Sequence, residues 1–543
     1  MTSIQQHNKH PLHYVWWKHG VIYQIYPRSF YDANDDGIGD LPGIIKKFDY
    51  LIDLGIDAIW LSPINTSPMY DCGYDVSDYY SIDPIFGTLK DFKELLAIAH
   101  SNNIHIIMDM VLNHTSQLHP WFVESSSSRY NMKNDWYIWH DGFNGKPPNN
   151  WKSAYLSSAW EKNEMRGQYY LHSFLKEQPD LNWHNQQVKH AMFDMMQYWL
   201  DLGVDGFRFD VINYCYKDKN LRNNPFSFNP FNDQIEKYNK NRLESYILVQ
   251  EIRKLIDKYD NRMTVGEVFS YPPGNPALSA SYLCKGKGLH LAFDFSLLYQ
   301  PFDSHKIYRC IKNWYNHIPE HCWPCNVLSN HDQQRYADKF SEEDNDSIKR
   351  LMALLLLTLW GTPFIYYGEE IGMKNTSIPL RKIVDPAGKR FWPMYKGRDC
   401  ARTPMQWSDE ANAGFSHTMC WLPIDSNYRT INVKHQLKDR YSLLNYYKDL
   451  IRLRKKHHAL THGSWEPLIK GKNGVIAYIR KAASETLCIL LNFNDHATHI
   501  HHHYEAQWKV LFSTHRSRFE HFADLRINCY PFEATILQKI GDL

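Results

Sequence analysis

The sequence has no long hydrophobic run. Its most apolar stretch, residues 351–359, is about half as long as a helix that spans a bilayer, and it ends in Gly-Thr-Pro. The first 20 residues also lack the apolar core of about 7–15 residues that marks a secretory signal. We therefore expect a soluble, cytoplasmic protein that does not bind membranes.

The chain has almost no excess of charge of either sign. Sixty-one Lys and Arg residues stand against 59 Asp and Glu residues, which leaves a formal net charge of +2. No block of like charges interrupts this balance. Electrostatic capture of nucleic acid or of an anionic membrane is therefore excluded.

Cysteine is too scattered to form a disulfide framework, because ten residues are spread over 543 positions. Cys322 and Cys325 form one CxxC pair, but no second pair completes a zinc site, so ordinary half-buried thiols are the favoured interpretation. The histidine cluster within residues 499–503 is interpreted as a solvated strand end. Internal repeats and low-complexity linkers are also absent.

Eight short β-rich segments alternate with helical patterns along the chain. Parallel strands joined by helices produce this order. Eight such units predict a closed (β/α)8 TIM barrel of the α/β class, with its chemistry at the carboxyl ends of the strands. The predicted strands cover residues 21–27, 56–62, 104–111, 206–211, 263–268, 290–296, 326–330 and 363–369.

Two regions do not fit the barrel pattern. About 94 residues separate the third and fourth predicted strands, so we expect a small inserted domain over the barrel mouth. From residue 464 onward, short β segments predict a C-terminal antiparallel β-sandwich domain. The barrel would then comprise residues 1–113 and 185–463, the inserted domain residues 114–184 and the C-terminal domain residues 464–543.

Polar and charged residues collect at the ends of the predicted strands. A single carboxylate at a strand end is usually a structural ion pair. Several carboxylates that converge on one barrel mouth repel one another and cost stability, which indicates a catalytic centre. The residues at these ends are Asp109, Asn113, His114, Arg208, Asp210, Glu267, Asn330, His331 and Asp332.

Five short motifs resemble those of glycoside hydrolase family 13, the α-amylase family. Their order and spacing match the family over most of the chain. They are DMVLNH (109–114), QPDLNW (178–183), GFRFD (206–210), GEV (266–268) and SNHD (329–332).

The resemblance implies a retaining glycosidase with three catalytic carboxylates. Asp210 would be the nucleophile, Glu267 the general acid/base, and Asp332 the stabiliser of the transition state. The resemblance also implies that His114 and His331 hold sugar hydroxyls. Asp109 is expected to orient the site rather than to react.

The chemistry of an acetal supports this division of roles. Its leaving oxygen needs a proton and its anomeric carbon needs a carboxylate on the opposite face, after which water attacks the glycosyl-enzyme. Arg208 lies two residues before Asp210 and so on the same strand face, where it can keep the nucleophile ionised. Glu267 must instead be protonated near neutral pH, which apolar neighbours or a nearby carboxylate can achieve.

Two more segments are similar to those of the oligosaccharide α-glucosidases within this family. YDCGYDV (70–76) would place Asp71 on the hydroxyls of a terminal glucose and Tyr74 under its ring. GRDCARTPMQW (397–407) would supply an arginine that pairs with Asp71; Arg402 is the preferred candidate and Arg398 the alternative. Such a pair closes one end of the groove and predicts exo action on a small oligosaccharide.

The chain also departs from the family pattern. Cys72 and Cys400 are unusual, although neither is expected to touch the reacting groups, and segment 220–242 is unusual enough to bear on the outer sugar sites. Val211 follows the nucleophile, as in oligo-1,6-glucosidases, whereas enzymes that prefer α-1,4 bonds tend to have Ala or Thr there. A β-branched residue also suits any strand. The resemblance therefore places α-1,6 bonds ahead of α-1,4 bonds.

A run of oxygen-bearing residues follows the first predicted strand. Alternate positions supply possible ligands, like the first half of a calcium loop, although turn chemistry alone also favours Asp, Asn and Gly. The resemblance implies a structural Ca²⁺ or Mg²⁺ here that takes no part in the reaction, and no organic cofactor. The candidate ligands are Asp32, Asn34, Asp36, Ile38 and Asp40.

Two other functions compete with this hypothesis. A sucrose or trehalose isomerase, or another transglycosylase, shares every residue named above and differs only in whether water or a sugar accepts the glycosyl group. A non-catalytic sugar-binding or transporter-associated relative would have a membrane helix and a broken triad, and the sequence has neither. The oligomeric state is expected to be a monomer or a weak homo-oligomer.

Overall fold

The computed structural model describes residues 14–229, 232–270, 273–341 and 345–541. Residues 1–13, which make up most of the N-terminal stretch, lie outside the described residues. So do positions 230–231 of segment 220–242 and the last two positions of the C-terminal region. Among the helices that are described, none combines the length and the apolar character needed to cross a membrane.

Eight parallel strands form the barrel that the sequence predicted. They pair in the order sixth, fifth, fourth, third, second, first, eighth, seventh. The sixth and seventh strands are joined where the Cys325 thiol donates to the carbonyl oxygen of Ala292 at 3.3 Å. The strands are Ile22–Ile25, Ala58–Leu61, His105–Val111, Gly206–Asp210, Met263–Gly266, Leu291–Ala292, Cys325–Val327 and Thr362–Tyr366.

The second barrel strand shows how the residues of a strand divide between two cores. In the second strand, Ala58 and Trp60 contact the core inside the barrel, whereas Ile59 and Leu61 contact the core between the strands and the helices. All four side chains are buried, because a barrel strand is covered on both faces. This double burial explains why the strands appear in the sequence as short, continuous apolar runs.

Five of the six longer helices begin at a side-chain cap, and Leu243–Ile256 is the exception. Thr88 and Asp91 form a reciprocal capping box, and Asn185 accepts a hydrogen bond from the amide of Gln187. The longer helices are Leu89–Ser101, Gln186–Leu202, Leu243–Ile256, Ser304–His317, Asp346–Thr358 and Leu443–Lys456. The shorter ones are Trp16–His19, Leu41–Lys46, Phe48–Leu54, Pro120–Ser127, Pro276–Ser281, Tyr336–Phe340, Pro386–Phe391, Val433–Lys438 and His458–Thr461.

The long connection after the third strand has a small sheet of its own. Its antiparallel strands are Trp139–His140, Trp160–Asn163 and Gln168–Leu171. Where this region rejoins the barrel, the Lys217 amino group lies 2.7 Å from Asp180 and 2.5 Å from the Asn113 side chain. Both charged groups are buried, so this contact fixes the inserted region on the barrel mouth.

Segment 220–242 packs against the inserted region. It contains the hairpin strands Phe226–Asn229 and Asn232–Gln234. The Asn150 side chain donates to the carbonyl of Asn224 at 2.9 Å and accepts from its amide at 2.8 Å. The unusual segment therefore extends the inserted region rather than the barrel.

The C-terminal region has the antiparallel β structure that the sequence predicted. Its described residues form one six-stranded antiparallel sheet, with one face in the main core and the other on a small core of its own. In sheet order the strands are Ser464–Lys470, Val475–Ala482, Glu485–Asn492, Ala534–Gly541, Thr498–Ser513 and His521–Cys529.

Two buried arginines, Arg480 of this sheet and Arg454 of the helix Leu443–Lys456, bind the end of another barrel helix. Arg480 donates to the carbonyl of Thr358 at 2.6 Å, and Arg454 donates to the carbonyls of Leu357 and Gly361 at 2.9 and 2.7 Å. These carbonyls lie at and just after the end of the helix Asp346–Thr358, where the helix offers no partners of its own. The C-terminal sheet therefore contributes to the hydrogen bonding of a barrel helix.

Candidate active site

Arg208 lies at the centre of a cluster of carboxylates at the carboxyl ends of the strands. Its Nη1 is 2.8 Å from Asp109 Oδ1 and 3.0 Å from Asp210 Oδ1, and its Nη2 contacts Glu267. The arginine and Asp210 share one strand face, while Glu267 directly follows the neighbouring fifth strand. One guanidinium, 1% exposed, therefore gathers three carboxylates from three adjacent strands.

The single charge of Arg208 does not neutralise this cluster. Burial and mutual repulsion raise the pKa of Asp210 well above its ordinary value, although Arg208 opposes the shift. Burial also raises the pKa of Glu267, with Asp332 and Asp109 adding to the effect. Interacting carboxyls of this kind titrate as a pair, and the raised pKa values favour a proton shared between them. A retaining glycosidase needs this state, with one carboxylate and one carboxylic acid.

Asp332 has the opposite environment. Its Oδ1 lies 2.8 Å from Arg402 Nη2 and 3.1 Å from Arg398 Nη1. Burial alone would raise the pKa of Asp332, but His331 and the two arginines outweigh it and hold the pKa far below its usual range. Burial lowers the pKa of His331 itself to about 3, so near neutral pH the lasting positive charge comes from the arginines.

The predicted pairing of Asp71 with Arg402 is wrong. Arg398 Nη2 lies 2.9 Å from Asp71 Oδ1, so the alternative candidate makes the pair. Arg402 instead donates from Nε to the carbonyl of His331 at 2.8 Å, which directs its other end to Asp332. A 3-10 turn, Asp399–Ala401, separates the two arginines and lets their side chains leave the loop towards different partners.

Tyr74 and His331 stack against each other, with ring centroids 5.6 Å apart and an interplanar angle of 5°. The Tyr74 hydroxyl lies 2.6 Å from His331 Nε2 and donates to Asp109 at 3.1 Å. His331 is fully buried, so the structure places it behind Tyr74 rather than on the cavity wall. His114 does line the cavity, and burial lowers its pKa, so it is a neutral hydrogen-bonding group near pH 7.

These groups surround one cavity of about 320 Å³, a size suited to a small ligand. Arg208, His331 and Arg402 do not reach its wall; they hold the groups that do. The predicted residues on the wall are Asp71, Tyr74, His114, Asp210, Val211, Glu267 and Asp332, together with Arg398.

Several wall residues were not predicted from the sequence. The inserted region contributes Tyr155 and Phe174, and the loops after the fifth and sixth strands contribute Phe269 and Phe295. Flat aromatic faces suit the apolar faces of sugar rings. The high aromatic content indicated such surfaces, but no motif or spacing distinguished these residues from core aromatics.

Val211 is not an ordinary strand residue. It has a φ of +33° and a ψ of +46°, in the left-handed region, and it directly follows the last residue of the fourth strand. A β-branched side chain is unfavourable in that region, so the backbone is strained beside the nucleophile. The turn places the Val211 side chain on the cavity wall.

The predicted cation loop forms a compact acidic turn. Asp32 accepts hydrogen bonds from the amides of Asp35 and Gly37, both at 2.8 Å, and Asp36 accepts one from Ile38 at 2.8 Å. Burial raises the pKa of Asp40 to about 6, and the charges of Asp32 and Asp36 add to the shift.

The donor chemistry of this loop suits a hard cation, since it offers carboxylate, amide and carbonyl oxygens. Lys46, which approaches the loop, donates to the carbonyl of Ala33 and not to the acidic side chains. Across the described ranges, no three His, Cys, Asp or Glu side chains already converge in a geometry that could hold a metal ion.

The mouth of the parallel barrel holds Asp210, Glu267 and Asp332 around one small cavity. This arrangement is typical of an enzyme that acts on glycosidic bonds. The family description "Alpha amylase, catalytic domain" matches residues 24–463. The chain therefore belongs to the α-amylase family, as its motifs predicted.

Relatives along most of the chain agree with this assignment. The oligo-1,6-glucosidase of Parageobacillus thermoglucosidasius is 41% identical over 513 residues, which cover 89% of this chain and 91% of that protein. The trehalose-6-phosphate hydrolase of Bacillus subtilis is 37% identical over 514 residues, with 88% and 90% covered. The crystal structure of the α-glucosyl transfer enzyme XgtA has a TM-score of 0.91 at 36% identity and covers 97% of this chain and 100% of its own.

We predict that Asp210→Asn, Glu267→Gln and Asp332→Asn each lower kcat by about three orders of magnitude or more, because each removes a group that acts on the transition state. Their melting temperatures should change little. The matched control is Asp294→Asn, since Asp294 is a buried carboxylate just after the sixth strand that does not line the cavity. A near-normal kcat in any of the three variants, with contamination excluded, removes that residue from the mechanism.

Proposed function

We propose that the chain is a retaining, exo-acting α-glucosidase that releases glucose from the non-reducing end of short α-linked oligosaccharides. The ion pair between Asp71 and Arg398 is the observation that carries this proposal. Both residues line the cavity, and Arg398 also contacts Asp332, so the pair forms a polar end to the cavity close to the catalytic groups. A cavity that ends there accepts one terminal sugar and excludes a continuing chain.

The geometry supports a double displacement. Glu267 gives its proton to the leaving oxygen, and the Asp210 carboxylate attacks the anomeric carbon to form the glycosyl-enzyme. Glu267 then takes a proton from water, which attacks the same carbon and frees Asp210. Arg208 contacts both carboxylates throughout, and Asp332, kept ionised by Arg398 and Arg402, stabilises the positive charge that develops on the sugar.

Transfer of the glycosyl group to a sugar is the second candidate function. A mutant of isomaltulose synthase from Erwinia rhapontici, solved with sucrose, has a TM-score of 0.91 at 34% identity to this chain. The catalytic carboxylates serve either reaction equally well, since only the acceptor differs. The relative rates with water and with sugar decide between the two functions.

We further propose a preference for α-1,6 bonds over α-1,4 bonds. Val211 lines the cavity beside the nucleophile, where the leaving sugar enters. An α-1,6 bond carries an extra methylene that an apolar, branched side chain can contact. The observation supporting this preference is the position of Val211 on the wall; its strained backbone holds the side chain there.

We also propose that Asp32, Asn34, Asp36, Asp40 and the carbonyl of Ile38 hold a structural Ca²⁺ or Mg²⁺. Such an ion would offset the repulsion between the carboxylates of the loop. The loop lies after the first strand, and none of its residues lines the catalytic cavity. A cytoplasmic location and a monomeric or weakly oligomeric state stay predictions from the sequence.

The first prediction of this proposal concerns products. Isomaltose, maltose, sucrose and trehalose are each incubated with the protein, and early NMR spectra are recorded. We expect glucose to appear first as the α anomer, because two inversions restore the original configuration. The Asp210→Asn variant is the control for contaminating activity. Early β-glucose contradicts the double displacement, whereas isomeric disaccharides in place of free glucose favour the transfer function.

A second prediction tests linkage preference. Val211→Thr and Val211→Ala should each lower the ratio of kcat/KM for isomaltose to kcat/KM for maltose by roughly tenfold. This is about the effect of losing contact with one methylene group. Hydrolysis of an aryl α-glucoside, whose leaving group is flat, is the internal control and should change much less. If the isomaltose-to-maltose ratio stays constant, linkage is chosen elsewhere on the wall and Val211 has no role in it.

The third prediction concerns the cation. Without an ion, Asp40 has a higher pKa in the folded protein than in the unfolded chain, so ionisation of its carboxyl favours unfolding. The free energy of unfolding should therefore fall as the pH rises from about 4 towards 6. Binding of an ion requires ionised carboxylates, so Ca²⁺ should raise the melting temperature at pH 7.5 and do so less at pH 5. Asp36→Ala should abolish this rise.

The control for the cation prediction is Asp49→Asn, which removes an exposed acid from the helix after the loop and should preserve the effect of Ca²⁺. Excess chelator should lower the melting temperature of the protein as isolated before it lowers activity at room temperature. A melting temperature that responds neither to chelator nor to Ca²⁺ rejects the ion.

A further inference from the structure

A buried carboxylate outside the catalytic cavity holds the arginine that closes it. Asp385 is 0% exposed and does not line the cavity. Its Oδ1 accepts hydrogen bonds from Arg398 Nε at 2.9 Å and from Arg398 Nη2 at 2.6 Å. This two-point contact fixes the plane of the guanidinium as well as its position.

The remaining donors of Arg398 then point in defined directions. Nη2 also donates to Asp71 at 2.9 Å, and Nη1 donates to Asp332 at 3.1 Å. A guanidinium offers five N–H groups in a rigid fork, so fixing one edge fixes the others. The position of the groups at the polar end of the cavity therefore depends on Asp385.

The second oxygen of Asp385 organises the backbone of the same loop. Oδ2 accepts from the amide of Gly388 at 3.1 Å, which caps the helix Pro386–Phe391, and from the amide of Arg398 at 2.9 Å. Phe391 of that helix lines the cavity. One carboxylate thus connects the start of the loop, its end and part of the cavity wall.

The loop leaves little room for another arrangement. Gly397 has a φ of +86°, and a Cβ atom there would meet Asp385 Oδ2 and the Cα atom of Gly388, each at 2.7 Å. The amide of Asp385 is held in turn by Asp399 Oδ2 at 2.9 Å. The carboxylate is therefore enclosed on all sides by its own loop.

We infer that Asp385 is a positioning residue for the reaction: it holds Arg398 in the orientation that binds the terminal sugar and closes the cavity. The inference rests on the proposed α-glucosidase function. Asp385 does not touch the sugar, so its effect must pass through Arg398. Asp332 keeps its second arginine, Arg402, when Arg398 is released, so binding of the sugar should suffer more than turnover.

The test replaces Asp385 with Asn. Asn is as good a helix cap as Asp, but it has only one acceptor oxygen. When that oxygen caps the helix Pro386–Phe391, as Oδ2 of Asp385 does, the NH2 group takes the place of Oδ1 and cannot accept from the two guanidinium donors. We expect the dissociation constant of an iminosugar inhibitor, measured by calorimetry, to rise about 10- to 100-fold, the value of a hydrogen bond to a charged group. KM for an aryl α-glucoside should rise in parallel, while kcat falls by less than about tenfold.

Asp83→Asn is the matched control. Asp83 also precedes a proline, is buried, caps a short helix and accepts two backbone amides, but the described contacts give it no arginine partner. This variant should leave the iminosugar affinity and KM unchanged. If Asp385→Asn does not fold, Asp385→Ser, which also retains a cap, takes its place in the same measurement.

The outcomes separate this inference from the proposed function. If Asp385→Asn or Asp385→Ser lowers the melting temperature but binds the iminosugar as the unchanged protein does, Asp385 is only structural and the inference fails. If the unchanged protein does not hydrolyse the aryl α-glucoside at all, the proposed function fails instead. A rise in the dissociation constant with Asp385→Asn, but not with Asp83→Asn, supports the positioning role.

Discussion

The buried guanidinium of Arg208 is the interaction on which the site depends. It contacts Asp109, Asp210 and Glu267, which come from three adjacent strands. Removing one partner from a buried ionic cluster costs about 3–5 kcal/mol, because the remaining charges lose their compensation. One positive charge among three carboxylates also leaves the cluster short of compensation. The same shortage contributes to the raised pKa values of Asp210 and Glu267, which favour a proton on this pair.

A second set of charges lies at the polar end of the cavity. Arg398 and Arg402 both contact Asp332, and Arg398 also reaches Asp71. The two sets therefore differ in charge balance. Carboxylates outnumber the single arginine around Asp210, whereas two arginines contact Asp332. This asymmetry pushes the pKa values of the site in opposite directions and gives chemically similar side chains different tasks.

The parts added to the barrel act on the cavity from outside. The inserted region supplies aromatic wall residues and is fixed by the buried contact between Lys217 and Asp180. The loop from Asp385 to Arg398 closes the polar end. The C-terminal sheet does not line the cavity, and its Arg480 satisfies the carbonyl of Thr358 at the end of a barrel helix. The long connections therefore supply wall residues of the cavity, while the ends of the strands hold Asp109, Arg208 and Asp210.

The sequence alone determined the eight strands and the carboxylates that meet at their ends, because double burial produces short apolar runs and the motifs lie where those runs end. Only the tertiary structure decided between Arg398 and Arg402. The two lie four residues apart in one motif, and the choice depends on Asp71 and Asp385, which are 327 and 13 residues away in sequence. Contacts between distant segments leave no periodicity to detect.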